Sequence, residues 1–127
     1  MAAFKRYEEI DAWKLGRDLV ARIYQATSKD PLKKDWGLKD QIQRSAVSIC
    51  SNIAEGFGRR GNKEFANFLW IAKGSAAEVS SQLYHLKDLG HLSGDEFDEL
   101  YNLTETIAAK IFYLIRYLAD NIKQTKL

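Results

Sequence analysis

Residues 37–57 read GLKDQIQRSAVSICSNIAEGF, and their apolar side chains recur at the spacing of one helix face. The steps along this stripe are four, four, three, four and four residues, through Leu38, Ile42, Ala46, Ile49, Ile53 and Phe57. Because an α-helix has about 3.6 residues per turn, such steps keep the side chains on one side. The stretch therefore predicts an amphipathic helix that buries this stripe.

The opposite face of this predicted helix is small and mostly uncharged. It carries Ser45, Ser48, Ser51 and Asn52, whereas a solvated helix face typically carries Lys and Glu. Small side chains permit the close approach of another helix, which is one interpretation of this face. An ordinary exposed face is the other, and the sequence leaves both open.

Three further segments, residues 11–27, 63–89 and 94–122, show the same periodicity. The single proline, Pro31, lies in a predicted loop between the first two helices, so long helices are permitted elsewhere. Four amphipathic helices with short connections predict an all-α protein, an antiparallel up-down four-helix bundle. Its length fits one domain over residues 1–127.

Helix ends are predicted from capping residues. Asp11 and Asn62 are expected to cap the first and third helices. Ser93 and Glu96 have the spacing of a capping box before the fourth helix, and Gly90 is expected to end the third.

A second line of residues on the third helix consists of Trp70, Gly74, Ala77 and Ser81. Glycine in mid-helix costs about 1 kcal/mol relative to alanine, so a backbone or aromatic ring is expected close to Gly74. Apolar and small residues extend beyond the one stripe that a bundle buries, which indicates a homo-oligomer. Its interface is predicted to contain Ser48, Asn52, Trp70, Gly74, Ala77 and Ser81.

The composition limits the class of protein. The net charge is +2, from 19 Lys and Arg against 17 Asp and Glu, so a nucleic-acid site must be a local patch. Hydrophobic residues at 46% exclude intrinsic disorder. One cysteine forms no intrachain disulfide, which indicates a reducing compartment. No segment resembles a signal peptide or a membrane span, so a cytoplasmic location is predicted.

Residues suited to catalysis or metal binding are few. His85, His91 and Cys50 do not provide the three or four ligands of a zinc site, and Cys50 is expected to fill the core. Glu55 and Glu78 lie on apolar-rich helices and are expected to be partly buried. Hydrogen bonds that hold helix ends or an interface are the alternative to acid–base catalysis there. We predict no enzyme activity, no metal and no cofactor.

Residues 56–61 read GFGRRG, which matches the glycine pattern of dinucleotide-binding loops. That motif requires a preceding strand, and a helix precedes it here, so the dinucleotide interpretation is rejected. The segment suits a helix end and a turn in which glycine takes positive φ, before a helix start that attracts anions. Arg59, Arg60 and Lys63 at this place, together with Arg44, are the predicted phosphate contacts; solvated charges on a turn are the alternative.

A second small basic cluster, Lys33 and Lys34, lies in the first predicted loop. Trp36, Phe57 and Tyr84 are candidate stacking partners for unpaired bases, although such residues more often pack against the protein itself.

The run from Trp36 to Arg59 resembles the core pattern of the ribosomal RNA intervening-sequence protein family, small bacterial four-helix-bundle proteins. Its most specific piece is SNIAEG at residues 51–56. Matching pieces continue through Lys63-Glu64-Phe65 to Leu114-Ile115-Arg116, so the resemblance covers nearly the whole chain. Cys50 stands where family members often have proline, and the second helix is therefore expected to be straighter.

The resemblance implies a ring-like homopentamer without enzymatic activity. It also implies similarity to the accessory protein of diversity-generating retroelements, which binds a reverse transcriptase and nucleic acid through a basic surface. The prediction is a non-enzymatic homo-oligomer that binds RNA, DNA or a nucleic-acid-processing protein through a local basic patch. A protein-interaction scaffold with no nucleic-acid role is the alternative, and the near-neutral charge favours it.

Overall fold

The computed structural model describes residues 4–29 and 34–125, with side chains up to residue 121. A short 3₁₀ helix at Tyr7–Glu9 precedes four α-helices, and no β-strand occurs within the described residues. The helices are α1 (Asp11–Thr27), α2 (Trp36–Gly58), α3 (Asn62–Asp88) and α4 (Gly94–Thr125). Each predicted boundary lies within three residues of the observed one, and α2 continues unbroken through Cys50. Pro31 and Lys33 of the predicted loop lie outside the described residues.

The four helices form a ring of neighbours around one core. Each helix packs on the next, and α1 closes the ring against α4. Ion pairs mark the closing contact, where Arg22 of α1 meets Glu99 of α4 and Lys29 lies 2.9 Å from Glu96. The helix periodicity accounts for this arrangement, since each apolar stripe turns toward the common centre.

The predicted stripe of the second helix is the one that faces the core. Its fully buried residues include Ile42, Ala46, Ile49 and Ile53, while Leu38 and Phe57 pack partly buried at its two ends. The other helices contribute equally apolar stripes, with these fully buried residues among them: Leu19, Ile23, Leu69, Val79, Leu83, Leu86, Ile107 and Ile111. The core is therefore aliphatic along its length, with aromatic side chains nearer its edges.

Helices α2 and α3 approach each other closely at Gly56, which is buried. A Cβ atom added to Gly56 would lie 2.6 Å from the Cβ of Phe68 and 3.1 Å from Cδ1 of Phe65. Only a residue without a side chain fits this crossing. At Gly16 of α1, an added Cβ would lie 2.7 Å from the sulfur of Cys50, so this thiol would have to move.

The connection between α3 and α4 has the predicted chemistry at both ends. Gly90 adopts a left-handed φ of 78°, and the N–H of His91 donates to the carbonyl of Leu86 at 2.8 Å. At the start of α4, the N–H of Glu96 donates to the Ser93 hydroxyl at 3.1 Å, and the Glu96 carboxylate accepts from the Ser93 N–H at 2.9 Å. The capping box and the glycine stop are both confirmed.

Two other predicted caps are wrong. Asp11 and Asn62 are the first residues inside α1 and α3, and the capping positions belong to Ile10 and Gly61. Ile10 is 2% exposed, so burial of this side chain in the core fixes where α1 begins. Gly61 is extended, with φ of −123°, which allows Asn62 to be helical already.

No helix in the described part of the chain is long and apolar enough to cross a bilayer.

Candidate nucleic-acid interface

Residues 59–61, here called the α2–α3 turn, place basic side chains at one end of the bundle. Arg59 is the C-terminal cap of α2, and Arg60 follows in the left-handed conformation with φ of 66°. The prediction that a glycine takes this conformation is wrong, because Gly56 and Gly58 both lie inside α2. A side chain in the left-handed region costs roughly 1–2 kcal/mol, and such residues concentrate at functional sites.

The arginine at the end of α2 is held by two neighbours. Its guanidinium lies 2.8 Å from a carboxylate oxygen of Glu55 and 5.1 Å from the ring centre of Phe68. The hydrogen bond that the Arg59 guanidinium donates to the Glu55 carboxylate raises the pKa of Arg59 above its ordinary value. The expectation that Glu55 and Glu78 are partly buried is wrong, since both side chains are exposed on the outer faces of their helices.

The structure brings together three of the four predicted phosphate contacts. Arg60 is exposed on the α2–α3 turn, and Lys63 is exposed in the first turn of α3. Arg44 lies apart, since it precedes Arg59 by fifteen positions along the helix, about 22 Å at 1.5 Å per residue. Its guanidinium pairs with Asp40 at 2.9 Å.

A cleft of about 730 Å³ opens beside this turn. Phe57 and Phe65 form part of its wall, and the residues at the chain's beginning, Phe4 and Lys5, form another part. Arg60 also lines the cleft. Lys5 could not be identified from the sequence, because only the folded chain brings the residues before α1 next to the end of α2.

The aromatic residues considered for base stacking lie in three different places. Trp36 is 73% exposed at the start of α2, with the ammonium of Lys39 4.9 Å from its ring centre. Tyr84 packs 4.9 Å from the ring of Phe97 on α4. Phe57 alone among these candidates adjoins the basic turn, where its ring meets Phe65 edge-on at 5.9 Å.

The residues predicted for an oligomer interface divide into two groups. Ser48 and Asn52 are half-buried between α2 and α3, where the hydroxyl of Ser48 is hydrogen-bonded to that of Ser75 at 2.9 Å. The amide of Asn52 donates to the carbonyl of Ser48 at 2.8 Å. The Ser48–Ser75 bond therefore connects α2 to α3 of the same chain, and the Asn52 bond lies within α2.

The second group lies along the exposed side of α3. It consists of Trp70, Gly74, Ala77 and Ser81, all of them exposed. Nothing lies within 4 Å of the position that a Cβ on Gly74 would take. The expectation of a backbone or aromatic ring close to Gly74 is therefore wrong for the described residues.

Residues with catalytic or metal-binding chemistry are dispersed. Among the described residues, no three His, Cys, Asp or Glu side chains lie close enough together to hold a metal ion. Burial raises the pKa of Cys50 to about 11, and its thiol donates to the carbonyl of Trp13 at 3.6 Å. His91 lies 3.8 Å from the carboxylate of Asp35, which also caps α2.

Comparison with known proteins identifies the family. The model of the 23S rRNA-intervening sequence proteins matches residues 8–113. A crystal structure from Bacteroides thetaiotaomicron, described as a protein with unknown function from the S23 ribosomal protein family, is similar with a TM-score of 0.75. It is 23% identical in sequence, and the match covers 82% of this chain and 97% of that one, which shows a shared fold. No curated protein matches the chain. Since the family model spans most of its length, the protein belongs to the 23S rRNA-intervening sequence protein family.

Proposed function

We propose that this protein is a non-enzymatic homo-oligomeric bundle that binds RNA or DNA, alone or in a nucleoprotein complex, through the α2–α3 turn. The observation that carries this proposal is the convergence of Arg59, Arg60 and Lys63 on one end of the bundle. The family name refers to 23S rRNA and supports a role connected with RNA.

The start of α3 adds to the attraction for phosphate. Gly61 has no side chain that could accept hydrogen bonds from the first N–H groups of α3. At the starts of α2 and α4, the side chains of Asp35 and Ser93 accept such bonds. N–H groups without helix partners carry partial positive charge at a helix start, where phosphate oxygens are favoured. Arg60 and Lys63 lie beside this start and add two full charges.

Assembly belongs to the same proposal. Large apolar side chains are exposed on α3 and α4, with Trp70 51% and Tyr113 66% exposed, and a subunit interface would cover them. A ring of five copies would repeat a weak phosphate site five times, so that a long strand engages several sites at once. This avidity would compensate for a net charge of only +2 per chain.

The antiparallel up-down order of the helices is also proposed. It is supported by the order of contacts along α1 and α4. Near the end of α1, Lys29 meets Glu96 in the first turn of α4. Near its beginning, Asp11 lies 3.9 Å from Lys110, which is more than halfway along α4.

A protein-interaction scaffold is the second candidate function. It is favoured by the pairing of surface arginines with carboxylates, as in Arg44 with Asp40 and Arg59 with Glu55. Such pairs reduce the positive potential that a nucleic acid would meet. The exposed aromatic side chains of α3 and α4 would then bind a protein partner.

A salt titration tests nucleic-acid binding. Fluorescence anisotropy would measure the affinity for a labelled single-stranded RNA at several salt concentrations. Three phosphate contacts per subunit predict a slope of log affinity against log salt of about −2 for each engaged subunit. An affinity that does not change with salt would contradict binding through phosphate contacts.

Charge reversal tests the location of the contacts. Replacing both Arg59 and Arg60 by Glu should weaken binding strongly and leave the oligomer intact, because exposed ion pairs contribute little to stability. Arg44→Glu is the matched control, since it reverses an exposed arginine about 22 Å away on the same helix. Equal loss per reversed charge at both places would mean that general charge, and not the turn, determines binding.

Native mass spectrometry tests the assembly. We expect a mass of five subunits for the wild-type protein and a smaller assembly for Gly74→Leu. Gly74→Ala is the control, because alanine improves the helix by about 1 kcal/mol and adds only a methyl group. A monomeric wild-type mass at micromolar concentration would contradict the proposed oligomer.

A further inference from the structure

We infer that the cleft beside the α2–α3 turn holds one unpaired nucleotide, with its base against aromatic side chains and its phosphate at Lys5 and Arg60. The protein would then prefer single-stranded over double-stranded nucleic acid. This inference rests on the proposed function, because it specifies which form of nucleic acid the basic turn recognises.

The cleft has the size and position for such a ligand. Its volume of about 730 Å³ falls within the range of roughly 300–1,000 Å³ that is typical of small-molecule sites. It lies where the residues before α1, the end of α2, the start of α3 and the last part of α4 meet. Four separate segments thus form its wall, whereas a simple surface groove between two helices is lined by two.

The lining of the cleft is aromatic on one side. Phe57 is half-buried and presents part of its ring, supported edge-on by Phe65 at an interplanar angle of 80°. Phe4 adds a third phenyl group, and Leu118 closes the apolar wall. Aromatic faces accept any of the bases by stacking, so this wall suits a nucleobase without selecting its identity.

The charge of the lining selects an anion. Lys5 and Arg60 both line the cleft, and no carboxylate is among its described lining residues. An aliphatic or aromatic ligand without negative charge would form no ion pair with these two cations. A nucleotide combines both required parts, since it joins an anionic phosphate to an aromatic base.

Base pairing decides which nucleic acid fits. In a duplex, each base is stacked and paired, and it reaches a protein pocket only after it is extruded from the helix at an energetic expense. In a single strand or loop, the bases are free to splay out and stack on aromatic side chains. The cleft therefore favours unpaired segments, while the rest of the basic turn contacts phosphates of either form.

The guanidinium of Arg60 can be removed by a substitution that keeps the backbone conformation of the turn. Its φ of 66° lies in the left-handed region, which glycine adopts readily. Arg60→Gly therefore deletes the cation and retains the backbone conformation. Phe57→Leu is the complementary change, because it keeps an apolar side chain of similar size and removes the aromatic face. Trp36→Leu, at the other end of α2, is the matched control for the loss of an exposed aromatic ring.

The test compares a labelled single-stranded RNA with the same strand annealed to its complement, at one salt concentration, with the full-length protein. We expect at least tenfold tighter binding of the single strand. Phe57→Leu should lower single-strand affinity by about tenfold, the effect of one lost stacking contact, and leave duplex affinity unchanged. Arg60→Gly should weaken both forms, and Trp36→Leu neither.

A base analogue provides a direct readout of stacking. An RNA that contains 2-aminopurine should lose fluorescence on binding to the wild-type protein and lose less on binding to Phe57→Leu. Circular dichroism and the urea midpoint would confirm that both variants are folded. Because Arg60→Gly retains the turn, a folded and fully active Arg60→Gly protein would overturn the inference even if Phe57→Leu did not fold.

The outcomes separate the inference from the function on which it rests. Equal affinity for single strand and duplex, with loss in the double Glu variant of Arg59 and Arg60, would overturn the cleft inference and leave the proposed function. Absence of binding to either form would overturn both. A free mononucleotide that binds as tightly as the strand, or an acidic peptide that displaces the strand equally well, would overturn the assignment of the cleft to a nucleic-acid strand.

Discussion

Replacement of Gly56 by alanine tests whether helix packing depends on this glycine. The added Cβ would lie 2.6 Å from the Cβ of Phe68 and 3.3 Å from the carbonyl oxygen of Phe65. Carbon atoms in contact prefer about 3.5–4.0 Å, so α2 and α3 would have to separate by about 1 Å. Both Cβ atoms are fixed to their backbones, and no rotamer change relieves the contact.

The magnitude follows from two opposing terms. Inserting a methyl group into a close-packed site costs roughly 1–3 kcal/mol, and the upper part of this range applies because rigid atoms collide. Alanine in place of glycine inside a helix returns about 1 kcal/mol. The free energy of unfolding should therefore fall by about 2 kcal/mol. With a urea dependence of about 1–3 kcal/mol per molar, the unfolding midpoint should fall by roughly 1 M.

Urea unfolding followed by far-ultraviolet circular dichroism measures this change. It should be recorded at several protein concentrations, because the stability of an oligomer depends on concentration. Gly58→Ala is the matched control: nothing lies within 4 Å of its added Cβ, so its midpoint should equal or exceed that of the wild type. A Gly56→Ala protein as stable as the wild type would refute the argument from close approach.

Three further expectations concern other parts of the fold. Burial raises the pKa of Cys50 to about 11, so the group is a protonated thiol at neutral pH. Iodoacetamide should therefore label Cys50 much more slowly in the native than in the unfolded protein. Equal labelling rates, measured by mass spectrometry, would contradict the packed position of Cys50. Hydrogen bonds from the Ser93 N–H and, second, from Lys29 lower the pKa of Glu96 in the folded protein. The stability that the Glu96 carboxylate contributes is therefore fully present above its pKa in the unfolded chain, and it is lost as the pH falls through its lower pKa in the folded protein. Glu96→Gln should accordingly flatten the pH dependence of the urea midpoint as the pH falls below the ordinary carboxyl pKa, and an unchanged slope would count against the capping box. Ser75→Ala removes the partner of the Ser48 hydroxyl and should reduce stability by about 1 kcal/mol, which thermal unfolding would detect.

The helices could be predicted because their information is local. The stripe through Ile42, Ile49 and Ile53 is visible in the sequence and is the stripe that the core buries. The capping box is equally local, since Ser93 and Glu96 contact each other directly. Periodicity and capping chemistry need no knowledge of distant residues, and these parts of the prediction agree with the structure.

The candidate site depended on contacts that the sequence does not display. The left-handed residue is Arg60 and not a glycine, because α2 continues through Gly56 and Gly58 and is capped by Arg59. Lys5 joins the cleft through the folding of the first residues beside α2. The role of small residues was also ambiguous in the sequence. The hydroxyl of Ser48 forms a hydrogen bond with Ser75 of the same chain, although a side chain of this size suits a subunit interface equally well.

The closed connection between α3 and α4 has a consequence for the order of folding. Only residues 89–93 separate the two helices, and both helix ends are satisfied by bonds within this stretch. Closing so short a loop loses little chain entropy, and the contacts that it brings together are near in sequence. The pair of helices α3 and α4 should therefore form early, with α2 added along its Gly56 crossing and α1 docking last. Destabilising changes in this pair would then slow folding, whereas those in α1 would mainly accelerate unfolding.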